Sequence, residues 1–311
     1  MALSDSKSVV VVERSGVRAR SPLSGPVPIL VAAMLWGTTG TTSSLAPAGA
    51  PAAAIGSAGL VLGGLLLYLS TGAARLVCTR GEWWLVIAGA LAVAGYPVTF
   101  YPAVARTGVA VATVIALGSA PVFAGLLAWV AGQGRPTGRW VGATAAAVLG
   151  CVVLVLGPQL TGGTAPVDPL GIVLAAFGGL TYAVYSLIGG RLIAHGHSSN
   201  AVLGTMFGIA GLLVLPVVLC ADTTWLHSGR GIAVAAHLAV FTTFVAYRLF
   251  GYGLRHTTAQ VATTLTLAEP AVAAVLGVVV VGERLPIVSW CGLVVLALGL
   301  AFLTLGGRDR R

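Results

Sequence analysis

The chain has 311 residues, of which 57% are hydrophobic and only 8% charged, against about 25% charged in a soluble domain. With a mean hydropathy of +0.98, it carries more apolar surface than a water-soluble fold of this size can hide, so lipid is the expected solvent. The net charge of +9 does not point to nucleic acid, because the basic residues sit in tails and between apolar runs, where they set membrane orientation.

Residues 1–27 are polar and include Lys7, Glu13, Arg14, Arg18 and Arg20; the Val9–Val12 patch is too short for a signal-peptide core. A disordered cytoplasmic tail is expected there. Ten apolar stretches follow, at about 29–46, 51–70, 84–104, 107–131, 138–157, 169–190, 199–220, 231–254, 257–281 and 286–305. Pro47, Pro51, Gly134, Pro136, Pro166 and Pro286 punctuate the junctions. The longest link joins two halves, giving a first five-helix repeat at 28–157, an inter-repeat loop at 158–167, a second repeat at 168–306 and a basic cytoplasmic tail at 307–311.

Residues 103–157 align with 252–306 without a gap, matching Arg106 to Arg255, Pro121 to Pro270, Arg135 to Arg284, Gly150 to Gly299 and Gly157 to Gly306. A repeat with five crossings starts its second copy on the opposite side of the bilayer. The expected fold is therefore an all-α integral membrane protein, ten transmembrane helices as two inverted five-helix repeats, an arrangement found in alternating-access carriers. With the N-terminus inside, 13 Lys or Arg residues fall on inside segments and three outside. This predicts cytoplasmic termini in a multi-pass plasma-membrane protein. Gly59 and Gly63, and Gly204 and Gly208, have the GxxxG spacing that lets helices approach closely in lipid.

The four cysteines are scattered without ligand spacing, and no nucleotide-binding or hydrolase motif is present. No cofactor, metal or catalytic residue is expected, so any pumping must draw on an ion gradient or a partner.

Leu267-Ala268-Glu269-Pro270-Ala271-Val272, leading to Gly282-Glu283-Arg284-Leu285 and then Gly292 and Gly299, resembles the EamA family of the drug/metabolite transporter superfamily. Leu35-Trp36-Gly37 and Leu180-Thr181-Tyr182-Ala183 sit where that family has an aromatic-small signature. The resemblance covers residues 28–306. It implies ten helices in two inverted halves around a cavity lined by spans 1, 3, 4, 6, 8 and 9. Two departures stand out. Gly56-Ser57-Ala58-Gly59 lacks the Arg common in the second span, and Gly132-Gln133-Gly134-Arg135 lacks the acidic residue of the turn.

Ionisable groups inside a span are costly and survive where a cavity or partner offsets them. His237, Arg248 and Glu269 are the three, all in the second half; Thr99 and Ala120 replace Arg248 and Glu269 in the first. His237, Phe241, Phe244, Arg248, Tyr252 and Arg255 share one helical face. Arg248 either faces the cavity or snorkels toward the membrane surface. Glu269 is a proton-coupling or ammonium site, or a structural carboxylate satisfied by Arg248 or by backbone amides freed beside Pro270. Pro121 and Pro270 are expected helix kinks. The hydroxyl run Thr38 to Ser44, including Thr39, either bonds its own helix or walls the cavity opposite Tyr182 and Tyr185. Trp36, Phe100, Tyr182 and Tyr252 would form an aromatic wall. His195 and His197 are expected to be solvated in a loop.

These expectations converge on a secondary carrier exporting small metabolites, amino acids or drug-like compounds. Its partners would be the lipid bilayer and a small solute, with protons as a candidate coupling ion and the oligomeric state open. A lipid or lipid-linked-sugar flippase on the same scaffold is the main alternative, and a non-transporting membrane scaffold or enzyme the third.

Overall fold

The computed structural model describes residues 23–72, 79–160, 168–282 and 284–305. Most of the expected N-terminal tail, the 307–311 tail, most of the inter-repeat loop and Glu283 lie outside the described residues. Every regular element among the described residues is helical: α1 Pro26–Ser44, α2 Ala52–Leu69, α3 Arg80–Val130, α4 Gly138–Leu160, α5 Pro169–Ala194, α6 Ser199–Cys220, α7 Gly229–His237, α8 Ala246–Leu254, α9 Ala259–Leu265, α10 Ala268–Leu276 and α11 Ile287–Leu305. Two π-helical stretches, Leu238–Val245 and Gly277–Val281, extend α7 into α8 and continue α10.

Polar start signals sit where the chain enters these rods. Thr79 and Glu82 form a capping box, with Thr79 N–H donating to Glu82 Oε2 at 3.0 Å. Asp168 caps α5 through Leu170 N–H at 2.9 Å, and Ser228 caps α7 through Gly231 N–H at 3.0 Å. Large apolar side chains such as Leu69, Leu91, Val130, Leu212 and Leu298 point outward, as lipid requires and water would oppose.

Among the described residues, eight helices are long and apolar enough to cross a bilayer. Two features separate this from the ten stretches expected. α1 is not among the eight; its last turns are Thr38, Thr39, Thr41, Thr42, Ser43 and Ser44. α3 is one 51-residue element, more than twice the ~20 residues of a single crossing. Its one non-helical position is Gly108, at φ 81° and ψ 160°, a region open to glycine. The two arms fold back beside α5. Gly178 of α5 lies against Thr99 and Phe100 on one arm and Ala116 on the other, and Gly171 meets Ala103, Arg106 and Thr107 near the apex.

Pro121 lies inside the second arm without breaking it, so the expected kink there is not a helix break. At Pro270 the helix does break: α9 ends at Leu265, α10 starts at Ala268, and Glu269 N–H turns back to Thr266 O at 2.9 Å. The positions before each proline account for the difference. Thr263, Thr264 and Thr266 bond carbonyls of their own preceding turn, which loosens a helix. The matched positions in the first half are Val114, Ile115 and Leu117.

α4 and α11 pack backbone to backbone. A Cβ on Gly150 would meet Leu296 N and Gly292 O; one on Gly299 would meet Ala147 N and Ala143 O. α1 rests on α10 at Gly37, against Val272 and Glu269 O, while α5 rests on the second arm of α3 at Gly179, against Ala116 O and Ala120 N. The GxxxG glycines of α2 and α6 sit in comparable contacts: Gly63 against Thr243, and Gly204 and Gly208 against Leu67 and Tyr68.

Candidate functional site

A cavity of about 210 Å³ lies at mid-depth in the bundle. Its walls come from α1 (Trp36, Thr39), α2 (Gly56, Gly59, Leu60), both arms of α3 (Val93, Tyr96, Pro97, Phe100, Tyr101; Thr113, Leu117), α5 (Tyr182, Tyr185), α6 (Phe207), the first π stretch and α8 (Leu238, Thr242, Thr243, Tyr247) and α10 (Glu269). Gly56 gives Tyr101 room, since a Cβ there would collide with the Tyr101 hydroxyl.

Aromatic rings close the floor. Trp36 sits 4.9 Å from Tyr247 and 5.6 Å from Phe250 between ring centroids. Phe207 lies 4.0 Å from Tyr247, and Tyr182 lies 5.2 Å from Tyr185. Each polar tip has a partner, as buried phenols and indoles require. The Trp36 indole N–H donates to Thr242 O at 2.7 Å. Tyr182 donates to Thr266 Oγ1 at 2.9 Å, and the Tyr185 and Tyr247 hydroxyls share a 3.0 Å bond.

The π stretch makes the Trp36 bond possible. Ala246 N–H reaches Phe241 O, one residue beyond the α-helical acceptor Thr242 O, and that skipped carbonyl receives the indole. Leu238, Thr242, Thr243 and Tyr247 line the cavity, whereas Phe244, Arg248 and Tyr252 do not. The sequence pattern placed those three on one face with His237 and Phe241, and that face is off the lining from His237 onward. Arg248 instead lies over the Phe244 ring at 5.4 Å, and Phe241 and Tyr252 are exposed.

Of the expected site residues, Trp36, Thr39, Phe100, Tyr182, Tyr185 and Glu269 converge on one cavity. Glu269 does not pair with Arg248; among the described residues its carboxylate has no hydrogen-bond or ion-pair partner. Of the span-1 hydroxyls, Thr38 bonds its own helix, donating to Leu35 O at 2.6 Å, and also meets His237 Nε2 at 2.9 Å, while Thr39 lines the cavity. Sequence reasoning missed Tyr96, Phe207 and Tyr247. Tyr247 carried a signal, as the neighbour of Arg248 in an otherwise apolar span, but only the π register reveals it. His195, which is exposed, and the more covered His197 flank Glu82, at 3.5 and 3.2 Å from Oε1. No group of three or more His, Cys, Asp or Glu able to hold a metal occurs among the described residues.

Comparison with known proteins bears on the whole chain. Residues 23–156 and 169–305 each match the EamA-like transporter family. The uncharacterized transporter YwfM of Bacillus subtilis (strain 168) is 35% identical over 91% of this chain and 94% of its own length. The threonine/homoserine exporter RhtA of Salmonella typhimurium (strain LT2) is 31% identical over 43% of this chain and 45% of its own. A solved crystal structure shares the fold at a TM-score of 0.77, with 22% identity over 93% of this chain and 99% of that one. The chain belongs to the EamA-like transporter family.

Proposed function

We propose that the protein is a secondary active transporter that exports small metabolites, amino acids or drug-like compounds by alternating access. The observation that carries this reading is Glu269, a carboxylate without a protein partner facing a mid-depth cavity. A buried acid left unpaired is expensive unless something else engages it. The relatives' names, YwfM as a transporter and RhtA as an exporter, point the same way.

On this reading the halves 28–157 and 168–306 each cross the membrane five times, with α3 supplying two crossings either side of Gly108. Inversion of the halves is supported by the α4–α11 joint. Gly150 against Leu296 and Gly299 against Ala147 are the same pair with the halves exchanged, as Gly150 matches Gly299 and Ala147 matches Leu296. In the first half's numbering the contacts run in opposite directions along the two helices, as an antiparallel two-fold demands. The exchange of partners between α1–α10 and α5–α3 follows the same symmetry. The termini would lie on the cytoplasmic side of the plasma membrane.

Protons entering at Glu269 would drive export. In proteoliposomes, flux of amino acids, nucleosides and cationic drugs is measured with and without a pH step. A gradient-dependent flux is expected, and Glu269→Gln should remove its dependence on the step; unchanged pH dependence would eliminate Glu269 as the coupling group. Scrambling of a fluorescent lipid with no solute flux would replace the carrier by a flippase.

A further inference from the structure

The cavity's chemistry narrows the solute. Resting on the carrier reading, we propose that the solute is a compact organic cation whose charged head sits between the Glu269 carboxylate and the aromatic faces, and that it needs no carboxylate of its own.

Three observations carry this. The first is charge. Among the described lining residues Glu269 is the one carboxylate, and none is Lys, Arg or His. Arg248, the cation that a cavity-facing placement would have supplied, lies over Phe244 outside the lining. A solute carboxylate brought here would meet Glu269 with no facing cation to offset the repulsion.

The second is the use of the donors. An anion or a zwitterion would need N–H or O–H groups turned toward it. Four aromatic tips are engaged within the protein: the Trp36 indole with Thr242 O, the Tyr182 hydroxyl with Thr266, and the Tyr185 and Tyr247 hydroxyls with each other; the other lining hydroxyls, on Thr39, Tyr96, Tyr101, Thr113 and Thr243, are neutral and offer no positive charge to a carboxylate. Fixing the polar tips leaves ring faces, the negative side of the aromatic quadrupole, for the solute. Stacked Tyr96 and Phe100, 5.3 Å apart, extend that surface along α3. A cation against such faces in a desolvated site is attracted by them, and Glu269 supplies the full counter-charge.

The third is size. A cavity of about 210 Å³ is smaller than the ~300–1,000 Å³ of drug-sized sites, so the solute carries one small apolar group beside its head. RhtA is named for two amino acids; the absence of a basic lining residue sets this chain apart from a site built to grip an amino-acid carboxylate.

The test uses three probes of similar size on the full chain in lipid nanodiscs: benzyltrimethylammonium, phenylalanine and phenylacetate. The quaternary cation cannot deprotonate, so pH titrates only the protein. Calorimetry should show the cation binding, with the zwitterion and the anion at least about tenfold weaker. Glu269→Gln, with its thermal midpoint checked against the parent, should weaken the cation by at least about tenfold. The probe series on the unaltered chain decides the matter even if the variant folds poorly. The proposal is overturned if the cation fails to bind, if either carboxylate probe binds as tightly, or if a folded Glu269→Gln binds the cation unchanged. Cation binding without flux of any solute in vesicles would sink the carrier reading alone. Flux of a zwitterion or anion with no cation binding would sink this inference alone.

Discussion

Trp36 holds three elements at once: its ring packs on Tyr247 and Phe250, its indole satisfies Thr242 O, and its neighbour Gly37 lets α1 touch α10. Trp36→Phe keeps most of the apolar area but strands a buried carbonyl, at about 1–3 kcal/mol. The variant should unfold at a lower temperature in detergent, and its aromatic floor should admit water-soluble quenchers more readily. Asp168 offers a second test at this scale. It caps α5 and pairs with Arg106 at 3.0 Å, both partly exposed. The Arg106 hydrogen bond, then the Leu170 N–H, hold its carboxyl below the usual carboxylate range. A depressed folded-state pKa stabilises fully above the unfolded value, about 3.9, and that contribution fades as pH falls through the folded one. Asp168→Asn should therefore melt slightly below the parent near pH 7, and the gap should close below about pH 4. A gap that widens in acid would contradict the pairing.

Among the elements, the α4–α11 joint makes the sharpest prediction. Gly150→Val drives a branched side chain into the backbone of Leu296, an overpacking worth about 1–3 kcal/mol or more. Gly142→Val, on the same helix with open space at its Cβ, should be nearly neutral. Thermal unfolding of the two variants would separate a packed joint from generic helix propensity. Much of this level was legible in the sequence. The apolar stretches and the matched glycines and prolines correspond to helices and joints because lipid length and close approach act locally on composition. The π stretch was not legible. It exists because Trp36, some 200 positions away in the chain, captures the carbonyl that the wider turn releases, and no periodicity within Leu238–Val245 encodes that partner. Phe244, Arg248 and Tyr252 lie outside the lining, while Trp36, Tyr182 and Glu269 line one cavity although the helix before Glu269 is broken. The unequal behaviour of Pro121 and Pro270 was readable in principle from the three threonines before the latter.

For the whole molecule, the proposed orientation is tested by two exposed glycines with open space at their Cβ: Gly138, beside Arg135 and Arg139, and Gly229 at the start of α7. In a background free of native cysteines, an impermeant maleimide applied to intact cells should modify Gly229→Cys and spare Gly138→Cys. Inverted vesicles should reverse the pattern. Labelling of both from one side would remove the proposed topology.

The self-mated contact between Gly150 and Leu296, echoed by Gly299 and Ala147, has a consequence for assembly. Each half bears both the plug and the socket of the same fitting, with Leu296 in one where Ala147 stands in the other. Because the fitting is antiparallel, two copies of one half inserted in the same sense cannot close it; on the proposed topology, halves co-expressed as separate polypeptides should pair only with each other. Fusion into one polypeptide keeps the two at equal numbers and lets one copy place an acid in the cavity where the other has Ala120 at the matched position, while both supply its walls.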